Sequence, residues 1–210
     1  MSEQLRERVL AEALPLIPQT GVSEATLQAA GEKAGVKSAE LKAAFPNGPA
    51  SLAEAFSHWA DAKMEERVLG NQAERLRDRV SNAVRARIEV LAPHKEATRR
   101  ASAFLALPQN APLAAKLAMR SVDRMWRAAG DRASDFSYYT KRALLSGVYG
   151  ATFVYWLSDS SQGHAETWKF LDHRIDNVMQ IERFRGAARD ALAKLPDPFG
   201  IFGSSRKGPR

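Results

Sequence analysis

The chain of 210 residues contains no cysteine, so disulfides, thiolate metal sites and a cysteine nucleophile are all excluded. Histidine is scarce as well. His58, His94, His164 and His173 are scattered, and none stands in the Glu-x-x-His spacing of a di-iron bundle site. A glycine-rich phosphate loop and a nucleophile elbow are missing too. Nothing here reads as catalytic, and neither a cofactor nor a metal site is expected. Long apolar runs are also lacking. The longest, "ALLSGVYGATFVYWLS" from Ala143 to Ser158, falls short of the roughly 20 residues that span a bilayer and is broken by Gly147 and Gly150. The N-terminal "MSEQLRERVL" has no apolar core of a secretory signal, so a cytoplasmic protein is the expectation.

What is present is an ordinary globular balance, 45 % hydrophobic and 26 % charged, with a net charge of +7. The charge is unevenly placed. Residues 1–66 carry −4, residues 67–182 carry +6, and residues 183–210 carry +5. We therefore read three segments: an N-terminal one over 1–66, a helical one over 67–182, and a basic tail over 183–210.

Helical periodicity dominates, and no strand-like alternation appears. Leu5, Val9, Leu10, Ala13 and Leu14 keep helical spacing, closed by Pro15 and Pro18. Ser23 suits an N-cap for a helix to about Ala34, Gly35 a tight turn, and Ser38 the cap of a short helix ending near Phe45. A third helix begins at Pro49 and runs past Trp59. In "AERLRDRVSNAVRARIEVLA", Leu76, Val80, Val84, Ile88 and Leu91 share a face. Arg75, Arg77, Arg79, Arg85 and Arg87 lie mostly elsewhere, as a solvated face or a surface for anions. Helices then follow to Gly130, from a cap at Ser134 to the Asp159–Gly163 turn, and through "HAETWKFLDHRIDNVMQI".

The stretch "GEKAGVKSAELKAAFPN" (helix, glycine turn, short helix, then Phe-Pro) resembles the DNA-binding domain of TetR-type regulators, whose short second helix enters the major groove. Where that family usually has Gly-Thr-Leu-Tyr-x-x-Phe, this chain keeps Leu41 and Phe45 but has Lys42 for the tyrosine and a glutamate, Glu40. Lys37 and Lys42 could touch phosphates, yet they sit in a segment of net charge −4, the wrong sign for a nucleic-acid partner.

Further on, "MWRAAGD", "DFSYYTKR", "DSS" and "TWKFLDHRIDNVM" occur in that order between Met125 and Met179. Together they resemble the lipid-binding accessory proteins of ubiquinone biosynthesis, a family with a TetR-like fold. The resemblance implies an all-α, TetR-like architecture: a degenerate helix-turn-helix domain of three helices followed by a C-terminal helical ligand-binding bundle. It implies a homodimer through the helices near 134–157 and 164–182. It further implies that an isoprenoid quinone intermediate, or a phospholipid, is held among the C-terminal helices and presented to the di-iron hydroxylase of the pathway. The lining expected on that basis is Val122, Met125 and Trp126 on one helix. On the next it is Leu144, Leu145, Val148, Tyr149, Thr152, Phe153 and Trp156, with Gly147 and Gly150 leaving room. The same residues at helical spacing would serve equally as plain core. Adjacent Tyr138 and Tyr139 point about 100° apart on a helix, so at least one is expected on the surface beside Asp135 and Arg142. In the family this stretch meets the hydroxylase.

In the tail, Phe184, Ala188, Ala191, Leu192 and Leu195 fall on one helical face and Arg183, Arg185, Arg189, Asp190 and Lys194 on the other. Phe199, Ile201 and Phe202 follow without charge. Such a segment can lie in an anionic membrane surface, which predicts peripheral association with the inner (cytoplasmic) membrane through Phe184, Arg185, Arg189, Leu192, Leu195, Phe199, Ile201 and Phe202. The alternative is a ligand-responsive repressor of the TetR type.

Overall fold

The computed structural model describes residues 2–69, 73, 75–130 and 136–178. Among them there is no strand; the elements are α1 (Ser2–Ala13), α2 (Ile17–Thr20), α3 (Glu24–Lys33), α4 (Ser38–Ala44), α5 (Pro49–Val68), α6 (Leu76–Leu91), α7 (Lys95–Leu105), α8 (Ala111–Ala128), α9 (Phe136–Ser158) and α10 (residues 165–178). No helix among the described residues is long and apolar enough to cross a membrane.

Local signals set the helix-turn-helix. Ser23 caps α3 by accepting the Thr26 amide at 3.2 Å. Gly35 takes φ +66°, the left-handed conformation that the turn needs and that favours glycine. Gly31 matters for its missing side chain: a Cβ there would lie 2.6 Å from Leu41 Cδ2, so any larger residue would force the Leu41 side chain to shift. Two expected boundaries shift. Pro18 does not close α1 but enters the first turn of α2, where its absent N–H costs nothing. Lys37, rather than Ser38, is the N-cap of α4, and its amide is accepted by Glu40 Oε2 at 3.3 Å.

The long helix α5 is central. It packs along α6 and α8 and also touches α1 and α3. Its links to α8 include Glu54 to Lys116 at 2.9 Å, Asp61 to Ser121 at 2.8 Å, and Glu65 to Arg124 at 3.1 Å. The partners climb both sequences together, so the two helices run parallel. The expected division after residue 66 falls inside α5, and the buried core continues through it, from Val9 and Leu52 to Val84, Val122 and Trp156.

At the other end, Asp159 anchors α10. Its carboxylate accepts the Ser161 amide at 2.7 Å, the Thr167 amide at 3.0 Å and the Thr167 hydroxyl at 2.5 Å. The "DSS" and "TW" strings are thus one capping device. Trp168 adds to it by donating Nε1–H to the Gly163 carbonyl at 2.8 Å. Tyr155 stacks on Phe170, centroids 4.5 Å apart, and holds α10 along α9.

Candidate functional site

α9 is packed on two sides, and on each it leaves a gap. Leu145, Val148, Tyr149, Thr152 and Trp156 recur at steps of three or four and form its most buried stripe. On one side of the stripe, Tyr149, Gly150, Phe153 and Val154 face α5, α6, α7 and α8 across a cavity of about 270 Å³. On the other side, Leu144, Leu145 and Val148 face α6, α8 and α10 across a second cavity of about 270 Å³, closed by Trp126, Ile175 and Val178.

The expected lining therefore divides. Val122, Tyr149 and Phe153 border the first cavity, and Trp126, Leu144, Leu145 and Val148 the second. Met125, Thr152 and Trp156 border neither. They sit on the part of the helix surface that meets its neighbours directly, and there the packing closes. The Thr152 hydroxyl donates to the Val148 carbonyl at 2.7 Å, and the Lys95 ammonium lies over the Trp156 ring at 5.3 Å. Gly150 does face open space: nothing lies within 4 Å of a Cβ placed on it.

The first cavity opens between α8 and α9, where Val154 is 67 % exposed and Ser146 meets Met119, itself 51 % exposed. Its inner end is polar. Arg87, 5 % exposed, donates Nε–H to Asp61 Oδ1 at 2.7 Å, a terminal N–H to the Tyr149 hydroxyl, and another to Ser57 Oγ at 3.2 Å. Ser121 donates to Asp61 Oδ1 at 2.8 Å, and Arg120 Nε stands 3.9 Å from the other carboxylate oxygen. Burial pushes the Tyr149 phenol up against the pull of Arg87, so it keeps its proton.

Arg87 corrects the reading of an arginine-rich outer face. It lies on the apolar stripe, in step with Val80, Val84 and Leu91, and a charge at such a position has to find a buried partner. That spacing was the signal in the sequence, matched on α5 by Asp61 between Ala60 and Met64. The neighbouring cations are engaged as well. Arg77 binds Asp176 at 2.5 Å, Arg79 donates to the Ala129 carbonyl at the end of α8 at 2.7 Å, and Arg85 lies over the Trp168 ring at 4.6 Å. This face is largely used within the fold, not presented to anions.

Arg142 is a second correction. It was expected on the surface beside the tyrosines, but it is 4 % exposed and donates Nε–H to Asp123 Oδ1 at 2.8 Å. Its spacing to Leu145 and Tyr149, three and then four residues, puts it on the buried stripe. Asp135 and the side chains of Tyr138 and Tyr139 lie outside the described residues, as do the tail positions Phe184, Arg185, Arg189, Leu192, Leu195, Phe199, Ile201 and Phe202. No group of three or more His, Asp or Glu among the described residues could hold a metal ion.

Comparison with known proteins bears on this bundle. A family model described as COQ9 matches residues 111–182, which begin with α8 and include α9 and α10. "Ubiquinone biosynthesis protein COQ9, mitochondrial" of Rattus norvegicus is 34 % identical over 188 residues, covering 85 % of this chain and 60 % of that protein. COQ9-B of Xenopus laevis is 36 % identical over 192 residues, covering 85 % and 64 %. The Drosophila melanogaster protein is 34 % identical over 186 residues, covering 86 % and 57 %. The chain is thus similar to COQ9 proteins over most of its length, and its C-terminal bundle matches that family's model. It spans about three fifths of the length of these COQ9 relatives. Among solved structures, a TetR transcriptional regulator from Nitrosomonas europaea ATCC 19718 superposes with a TM-score of 0.66 at 21 % identity, over 82 % of this chain and 97 % of that one. The chain thus has the expected all-α, TetR-like fold.

Proposed function

We propose that this chain is a non-catalytic accessory protein of ubiquinone biosynthesis. It holds an isoprenoid quinone intermediate or another lipid in its C-terminal bundle and hands it to the di-iron hydroxylase of the pathway. The observation that carries the reading is the pair of apolar cavities flanking α9, a helix within the part of the chain that the COQ9 model matches, with α5, α6 and α7 completing their walls from outside that part. The first reaches the surface at exposed Val154, beside exposed Met119, the kind of apolar rim that marks a binding mouth. A volume of about 270 Å³ is near the lower end for ligand sites. It suits a ring and a short stretch of tail, with a longer tail leaving through the mouth. The basic segment 183–210 supplies attraction to anionic lipid, and the protein acts as a homodimer at the membrane surface.

The test is native mass spectrometry of the purified full chain, wild type and Gly150→Leu. Leucine at position 150 extends into the first cavity, so the wild type should carry or take up lipid and the variant should carry much less. The variant should also melt no lower, because leucine favours the helix over glycine by about 0.5–1 kcal/mol. A wild-type protein that carries no lipid and takes up none from vesicles would end the proposal.

A further inference from the structure

The inner end of the first cavity has a chemistry of its own. Three groups lining it are hydrogen-bond donors: the Tyr149 hydroxyl, the Arg87 guanidinium and the Ser121 hydroxyl. Asp61, the acceptor that balances them, stands behind and does not line the cavity. A buried arginine needs its carboxylate, so the Asp61–Arg87 pair accounts for itself. Tyr149 is not accounted for in that way. Phenylalanine would fill the same space. The Tyr149 oxygen accepts from Arg87, which turns its own proton elsewhere, and among the described residues that proton meets no acceptor. Tyr149 is 8 % exposed, and its hydroxyl proton is available to an acceptor placed in the cavity it lines. The local charge points the same way. Arg87 and Arg120 stand against the one carboxylate of Asp61.

We propose that this end of the cavity is a subsite for an acceptor oxygen. Tyr149, polarised by Arg87, donates its O–H to a carbonyl or ring oxygen of an amphiphilic ligand, whose tail runs outward past Phe153 and Val154. The inference rests on the lipid-holding reading above and adds the orientation: head inward, tail toward the mouth. A compact neutral head with acceptor oxygens, such as a quinone ring, fits. A phosphodiester head does not, because burying a second, larger ion would need more compensation than one spare positive charge supplies.

Two matched probes test it on the full-length protein by calorimetric titration: 2-hexyl-3,5,6-trimethyl-1,4-benzoquinone and the same alkylated ring without its two carbonyls. The wild type should bind the quinone about tenfold more tightly, the worth of one good buried hydrogen bond. In Tyr149→Phe that ratio should fall to within about twofold. A hexyl phosphodiester should bind no better than the plain arene. If the wild type binds both ring probes equally, or keeps its preference in Tyr149→Phe, the subsite is refuted while the apolar cavity stands. If neither ring probe shows saturable binding, the lipid-holding reading falls, and this one with it. The comparison within the wild type needs no variant to fold.

Discussion

At the scale of single residues, the Asp61–Arg87 pair is the costliest feature to disturb. Replacing Asp61 by alanine leaves a buried guanidinium uncompensated, which should cost about 3–5 kcal/mol in urea unfolding. Asp61→Leu combined with Arg87→Met should recover most of that loss, since two apolar side chains leave no stranded charge. A double variant as unstable as the single one would show that the pair is more than a matched burial. His58 and His94 give a pH prediction. Burial holds His58 below the ordinary imidazole value, helped by Arg120 and opposed by Glu54 and Asp61, and burial alone does so for His94. Between the depressed folded value and the unfolded value near 6.5, the unfolded chain binds more protons. Stability is therefore full above about pH 6.5 and is lost as pH falls through the folded value. Melting temperature should drop over that range, and less steeply in a variant with His58→Gln and His94→Gln. The buried apolar stripe of α9 is legible in the sequence because hydrophobic spacing announces itself, but spacing does not tell which of its residues border a gap. Arg87 and Arg142 are buried although charge ordinarily signals exposure, and their step with Val84 and Leu145 is the better guide.

At the scale of elements, helix ends are settled by groups the sequence shows plainly and by others it does not. Ser23 and Gly35 act where they were expected. Asp159 reaches Thr167 eight residues on, which periodicity cannot show. Burial works to raise the Asp159 carboxyl, but the hydrogen bonds from Thr167 and Ser161 outweigh it and hold the group well below the usual carboxylate range. Its contribution is present above the unfolded value near 3.9 and is lost as pH falls through the folded one. Asp159→Ala should cost about 1 kcal/mol at neutral pH, as N-cap losses do, and the penalty should shrink in strong acid. Hydrogen exchange should locate the loss in α10, with α5 unaffected. In α4, the first-turn carboxylate of Glu40 already takes the Lys37 amide, a donor that a phosphate would otherwise claim. The surface of that helix carries Ala39, Glu40 and Ala43, none of which donates from its side chain, beside the exposed donors Ser38 and Lys42.

At the scale of the whole molecule, the expected division after residue 66 falls in the last turn of α5, which ends at Val68. α5 belongs to both halves, and Glu54 joins α1, α5 and α8: Lys116 at 2.9 Å, Arg6 at 3.9 Å. Unfolding should accordingly be one cooperative transition, with far-ultraviolet dichroism and tryptophan fluorescence giving the same midpoint. Two separated midpoints would contradict the shared helix. The all-α architecture was readable from periodicity and breakers. That there are two gaps, one on each side of α9, was not, because a gap is the volume that facing side chains fail to fill and depends on where helices cross. The buried pair has a further meaning across generations. With total stability on the order of 5–15 kcal/mol, losing either charge alone removes a large share of what keeps the chain folded. Positions 61 and 87 are therefore coupled in inheritance: a lineage can exchange the ion pair for a greasy one only by changing both almost at once, or after first acquiring stability elsewhere.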